Sequence, residues 1–176
     1  MGGEVWDTAG NPAMTTAPST LNPYAKFVGE QEPLAVIAAT SDRLQALAAK
    51  IGPEKIAVAP APEKWSASEI LCHLADCEIA FGFRLRQTLA EDNHLIQPFD
   101  QEKWAAPYGS LAANEALTAF AALRRWNLLL IQGALTEFGT KSVTHPERGA
   151  MTFATIVDTM AGHDLNHIGQ LERMAG

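Results

Sequence analysis

The chain is 176 residues long, enough for one domain that buries a continuous core without disulfide staples. Hydrophobic residues make up 47%, which excludes an intrinsically disordered chain. Thirteen Lys and Arg against 20 Asp and Glu leave a net charge of −7, which opposes non-specific attraction to nucleic acid or to an anionic membrane surface.

Residues Met1 to Asn22 mix Gly, Pro, Thr and Ser without periodicity and read as a loose lead-in, so a single domain is expected over 23–176. The first twenty residues lack a basic start followed by an apolar stretch, and no apolar run approaches the roughly 18 residues of a membrane span. A cytoplasmic protein with no membrane or nucleic-acid partner is the expectation. The first helix is predicted to begin near Pro33, a residue favoured at the first helical position. Leu34, Ile37, Ser41, Leu44, Ala48 and Ile51 follow a three-then-four spacing that makes one apolar seam, and Gly52-Pro53 ends it.

The second helix has the clearest start signal. Ser66 and Glu69 form a capping box, with Trp65 and Ile70 placed as a hydrophobic staple, and the helix can run to about Ala90. Cys72 and Cys77 both fall on it, about 140° apart around the helix, so they cannot bridge. A long connection follows, with Pro98, Pro107 and Gly109 and a possible short turn over Asp100 to Ala105. The third helix is expected from about Ser110 to Phe138, stopped by Gly139. A loop over Thr144 to Gly149 then precedes a fourth helix capped by Thr152, with Met151 and Ile156 as a second staple. No segment alternates for long enough to argue a strand. Four helices imply an all-α four-helix bundle. The connection between helices two and three, about nineteen residues, exceeds the usual bundle loop. A link that long can cross the bundle, so these two helices can run parallel as well as form a hairpin.

Three of the five histidines are candidates for one site. His163 and His167 lie at i and i+4 on the last helix, about 40° apart, so their imidazoles can converge on one ion. The alternative is a solvated polar face near a C-terminus, but Ile156, Thr159 and Met160 share the stripe and turn it inward. His73 falls among Ile70, Leu71 and Leu74 on the buried face of helix two. A lone buried His is more often a core residue than a ligand, yet a bundle has one core, and facing helices build its metal sites. Three neutral imidazoles would leave a coordination position open for water or substrate, as in a catalytic site. Zinc, nickel and iron(II) all accept imidazole. Along the line of His73 follow Cys77, Ala80 and Arg84, each within about 40° by helical period. Cys77 is a candidate neighbour of the ion, and Arg84 could meet an anionic or carbonyl group of a substrate or pair with a surface carboxylate. Gln170, two turns after His163, is a candidate pocket polar group.

These residues, in order, resemble a known family. Trp65-Ser66, Glu69, His73-Leu74, Asp76, Glu78, Trp104, His145-Pro146 with Gly149, His163-Asp164, His167 and Gln170 look like the DinB-like superfamily of metal-binding bundles. The resemblance spans about Tyr24 to Met174. It implies an up-down-down-up bundle in which one divalent metal is held by His73, His163 and His167. It also implies a metal-activated low-molecular-weight thiol, such as bacillithiol, mycothiol or glutathione, used by S-transferases or isomerases that are commonly homodimers. The expectation is therefore a metal-dependent enzyme that transfers a thiol, or water, to a small electrophile. A metal-binding or regulatory bundle without turnover is the alternative. Glu69 sits near the line of His73, but capping is its better-supported role, and His145 is expected to stabilise its turn more than to shape a site.

Overall fold

A computed structural model describes residues 22–176; the expected lead-in lies outside the described residues except for Asn22. A short α1 (Ala25–Val28) precedes α2 (Pro33–Ile51), α3 (Ala67–Ala90), a short α4 (Gln101–Ala105) and α5 (Ala113–Phe138). A hairpin of β1 (Ser142–His145) and β2 (Gly149–Thr152) leads into α6 (Phe153–Ala175). The long helices start where their caps say they should. The Ser66 hydroxyl accepts the Glu69 N–H while Glu69 reaches back to the Ser66 N–H, and Thr152 accepts the Thr155 N–H. Pro33 opens α2, and Gly52, at φ 79, sits just past its end.

Cross-helix pairs fix the directions. Ser68 meets Leu111 and Glu78 meets Arg124, so α3 and α5 run parallel. Thr40 meets Asp164 and Lys50 meets Gly176, so α2 and α6 are parallel as well. His73 and Cys77 of α3 lie against His163 of α6, an antiparallel pair. The result is the up-down-down-up four-helix bundle, with the crossover from Ala90 to Ala113 carrying α4 and a 3-10 turn (Tyr108–Ser110). Among the described residues no helix is long and apolar enough to cross a membrane.

The core is split. One apolar cluster gathers Ile37, Phe81, Leu85, Ile131, Phe153, Ile156 and Met160; the other gathers Leu44, Ile70, Leu74, Phe120, Ile168 and Leu171. Between them every long helix contributes polar side chains: Thr40, His73 with Glu78, Arg124 with Asn127, and His163, Asp164 and His167, all buried. The waist of the bundle is therefore polar.

Two differences from the sequence expectation have simple causes. On α2 it is Thr40, not Ser41, that is buried, because its hydroxyl bonds the Val36 carbonyl and Asp164 across the waist. The loop before α6 is a hairpin, in which Val143 pairs with Met151 and His145 with Gly149. Strands of four residues place only Val143 and Met151 in the apolar core, too few to register as alternation. His94 and Ile96 of the crossover bond Thr144 of β1, which pins the crossing chain to the hairpin.

The short α1 is held on α6 by a close approach. A Cβ added at Gly162 would stand 2.6 Å from the Tyr24 carbonyl oxygen and 2.7 Å from its Cβ. Gly162→Ala is expected to lift this segment and cost about 1–3 kcal/mol, as overpacking does. The urea midpoint of the variant measures it, and an unchanged midpoint would mean that Tyr24 is not seated as described.

Candidate metal centre

His73 comes from the inward stripe of α3, and His163 and His167 come from consecutive turns of α6 facing it. All three are buried, and one ring nitrogen or other of each lies within 4.8 Å of the others. His73 Nε2 and His163 Nε2 approach to 3.1 Å, and the three ring centroids are 4.5 to 5.1 Å apart. His167 Nδ1 donates to Gln170 Oε1 at 3.0 Å, which fixes the tautomer and leaves Nε2 as the free lone pair. Trp65 flanks His73 with ring centroids 4.9 Å apart, and the Tyr24 ring meets His163 edge-on at 5.3 Å.

Burial pushes His73 down to about 3, and the neighbouring His167 adds to the shift. Burial also holds His163 well below the ordinary histidine range, reinforced by His167, His73, Arg124 and Arg148. His167 is lowered by burial against the opposing pull of Gln170 and Asp164. Neutral imidazoles result, which is the form that coordinates. Two ring nitrogens at 3.1 Å can share at most one proton, and His163 Nδ1 is buried without a hydrogen-bond partner among the described residues. Three neutral nitrogen donors facing one point suit zinc, nickel or iron(II), with ligand positions left over.

Two cavities open on the cluster and share Tyr24, His73 and Gln101 in their walls. The larger, about 760 Å³, adjoins His167 and is lined by Trp65, Gln170, Arg173 and Met174. The smaller, about 250 Å³, adjoins His163 and contains Cys77, Ala80 and Arg84, the three residues the helical period places beyond His73. Cys77 Sγ is 3.5 Å from His73 Nε2 and 3.8 Å from His163 Nε2. Burial, then Glu78 and Asp164, push its thiol up, so it stays protonated in the chain alone. Arg84 forms no ion pair among the described residues, contrary to the surface-carboxylate alternative. His145 does both things considered for it: its Nδ1 accepts the Glu147 N–H within the turn, and its ring lines the smaller cavity.

A buried charge network lies directly behind the histidines. Arg124 of α5 donates to Glu78 of α3 at 2.7 Å, to both carboxylate oxygens of Asp164 at 2.6 and 3.1 Å, and to the Ile37 carbonyl at 2.9 Å. Asn127 holds Glu78 from the same helix, at 3.1 Å to Oε2, and Arg86 in turn donates to Asn127. Asp164 follows His163 in sequence, so the network anchors that turn of α6 to the other three helices. Sequence reasoning passed over Arg124 and Asn127. The available signal was positional: Ala116, Phe120, Arg124, Asn127, Ile131 and Ala134 share one buried stripe of α5, and an Arg there must be paired.

Comparison with known proteins agrees with this architecture. A sequence profile for the "DinB superfamily" matches residues 37–171. A protein of Oceanobacillus iheyensis named "Putative metal-dependent hydrolase OB0782" is 28% identical over 109 residues, covering 61% of this chain and 63% of that protein. A Bacillus cereus protein named "Putative metal-dependent hydrolase" is 28% identical over 109 residues, covering 61% of this chain and 62% of its own length. The chain thus spans a little under two thirds of the length of these relatives. Among solved structures, YfiT from Bacillus subtilis superposes with a TM-score of 0.68 at 17% identity, covering 98% of this chain and 91% of that one. It is described as "a probable metal-dependent hydrolase with an unusual four-helix bundle topology", and at that identity the likeness concerns the fold.

Proposed function

The chain belongs to the DinB superfamily, and from that premise we propose that it is a metal-dependent enzyme whose His73, His163 and His167 hold one divalent ion. The observation that carries this reading is the convergence of three neutral imidazoles from two antiparallel helices on a point that two cavities reach. A zinc, nickel or iron(II) ion held by these three imidazoles would supply Lewis-acid chemistry, favouring the anionic form of a water or of a low-molecular-weight thiol near neutral pH. The names of the relatives favour water as the nucleophile; the motif resemblance favours the thiol. The protein's own part is positional. Gln170 holds the His167 ring by its Nδ1–H, Trp65 and Tyr24 pack against His73 and His163, and the buried network fixes the turn that carries His163. Arg84 and Cys77 in the smaller cavity and Gln170 in the larger would touch a small-molecule substrate.

Protein purified without an affinity tag is expected to carry about one ion per chain by elemental analysis. Mixed with small electrophiles and cellular thiols, or with activated esters, it should consume thiol or ester, stop after dialysis against chelator, and resume when zinc is returned. Metal at full stoichiometry with no turnover across both panels would instead identify a binding or regulatory bundle.

A further inference from the structure

The smaller cavity carries a feature that a metal centre does not require. Arg84 of α3 and Arg148 of the β1–β2 turn both line it, both are half-buried, and neither has an ion pair among the described residues. The Arg84 guanidinium makes one long bond, 3.5 Å to the Gln97 carbonyl, and otherwise rests over Phe81 and Phe99 at 5.9 and 5.7 Å from their ring centroids. Burial, and after it the positive charge of Arg148, lower the Arg84 pKa. The cavity's one carboxylate, Glu147, is exposed on the turn and reaches neither arginine at ion-pair distance. His145 adds to the donors. Its Nδ1 accepts the Glu147 N–H, and burial together with Arg148 and Arg84 lowers its pKa, so the neutral ring carries its proton on Nε2.

Two half-buried cations lining one cavity without a counter-ion are costly unless a ligand supplies the negative charge. Ala80, Phe81, Pro98 and Phe99 give the wall an apolar stretch beside Tyr24, Gln101 and Thr159, and about 250 Å³ falls just under the usual range of ligand pockets. His73 and His163 line the same cavity. We propose that Arg84 and Arg148 form the anion subsite of a small carboxylic acid with an apolar body, which places the rest of that molecule beside His73 and His163. Guanidinium is the side chain whose planar fork matches a carboxylate, and Phe81 and Phe99 suit an aromatic or aliphatic body. That the acid is a substrate rests on the metal-centre reading; that it binds does not.

The test is calorimetric titration of the full chain with benzoate, using benzamide as the neutral isostere and inorganic phosphate as the other anion. It is run on zinc-loaded and on chelator-dialysed protein. Benzoate is expected to bind saturably in both states, and both Arg84→Gln and Arg148→Gln should weaken it about tenfold or more. Arg148 lies on the hairpin turn, so that variant keeps the test independent of any folding defect at position 84. Benzamide and phosphate should each bind at least tenfold more weakly. The assignment is overturned by absent benzoate binding, by benzamide or phosphate binding as tightly, or by unchanged affinity in both variants. It is overturned too by binding that disappears with the metal, which would put the acid on the ion. Zinc failing to load while benzoate still binds through the arginines would count against the metal centre and for the subsite.

Discussion

Arg124→Met will cost about 3–5 kcal/mol of folding stability, a large share of what a domain of this size possesses. The wild-type guanidinium is 3% exposed and its partners, Glu78 and Asp164, are 1% and 3% exposed, so no solvent can take its place. Removing it strands two carboxylates in the dry waist. The Ile37 carbonyl also loses the donor that Arg124 provides. Most of the loss therefore belongs to the charges left behind and not to the pair itself, which a compensating variant can separate. Adding Glu78→Gln and Asp164→Asn to Arg124→Met removes the stranded charges and should return a measurable part of the stability. Urea unfolding followed by far-UV circular dichroism gives both numbers, with the slope checked for constancy. A loss under about 1 kcal/mol for Arg124→Met would place the network in water, contrary to its burial.

This waist also explains which parts of the fold were legible beforehand. Local signals act within one or two turns, so the Ser66 and Thr152 caps, Pro33 and the apolar seams located the long helices to within a few residues. The histidine cluster was legible because His163 and His167 announce themselves by spacing, and His73 by an apolar setting that a polar ring must justify. Arg124 was not legible as part of a network. Its partners lie on other helices, 40 and 46 positions away in sequence, and pairing across a core leaves no periodic trace. The same holds for Arg148. Only the hairpin brings it over the smaller cavity, and the hairpin is made by backbone pairing of residues too few to show alternation. α1 too escaped the reading, since four residues carry no period and its seat depends on Gly162 being small enough for Tyr24 to approach.

His163→Ala combined with His167→Ala is expected to abolish stoichiometric metal while the chain remains a helical bundle. Two of the three nitrogens disappear, and a single imidazole with the protonated Cys77 thiol is no closed site for a divalent ion. The helices do not depend on these rings: the cap of α6 lies at Thr152, and its apolar contacts run through Phe153, Ile156, Met160, Ile168 and Leu171. Stability reports the same event through linkage. Zinc at a hundred times its dissociation constant stabilises a folded chain by about 2.7 kcal/mol, so added zinc should raise the wild-type melting temperature and leave that of the double variant unmoved. Gln170→Ala grades the response, since losing the partner of His167 Nδ1 should weaken metal binding about 10–100-fold without emptying the ligand set. Elemental analysis and thermal melts with and without zinc check all three proteins. A double variant that still carries one ion per chain would mean that the metal sits elsewhere, and the two cavities would then have no reacting centre between them.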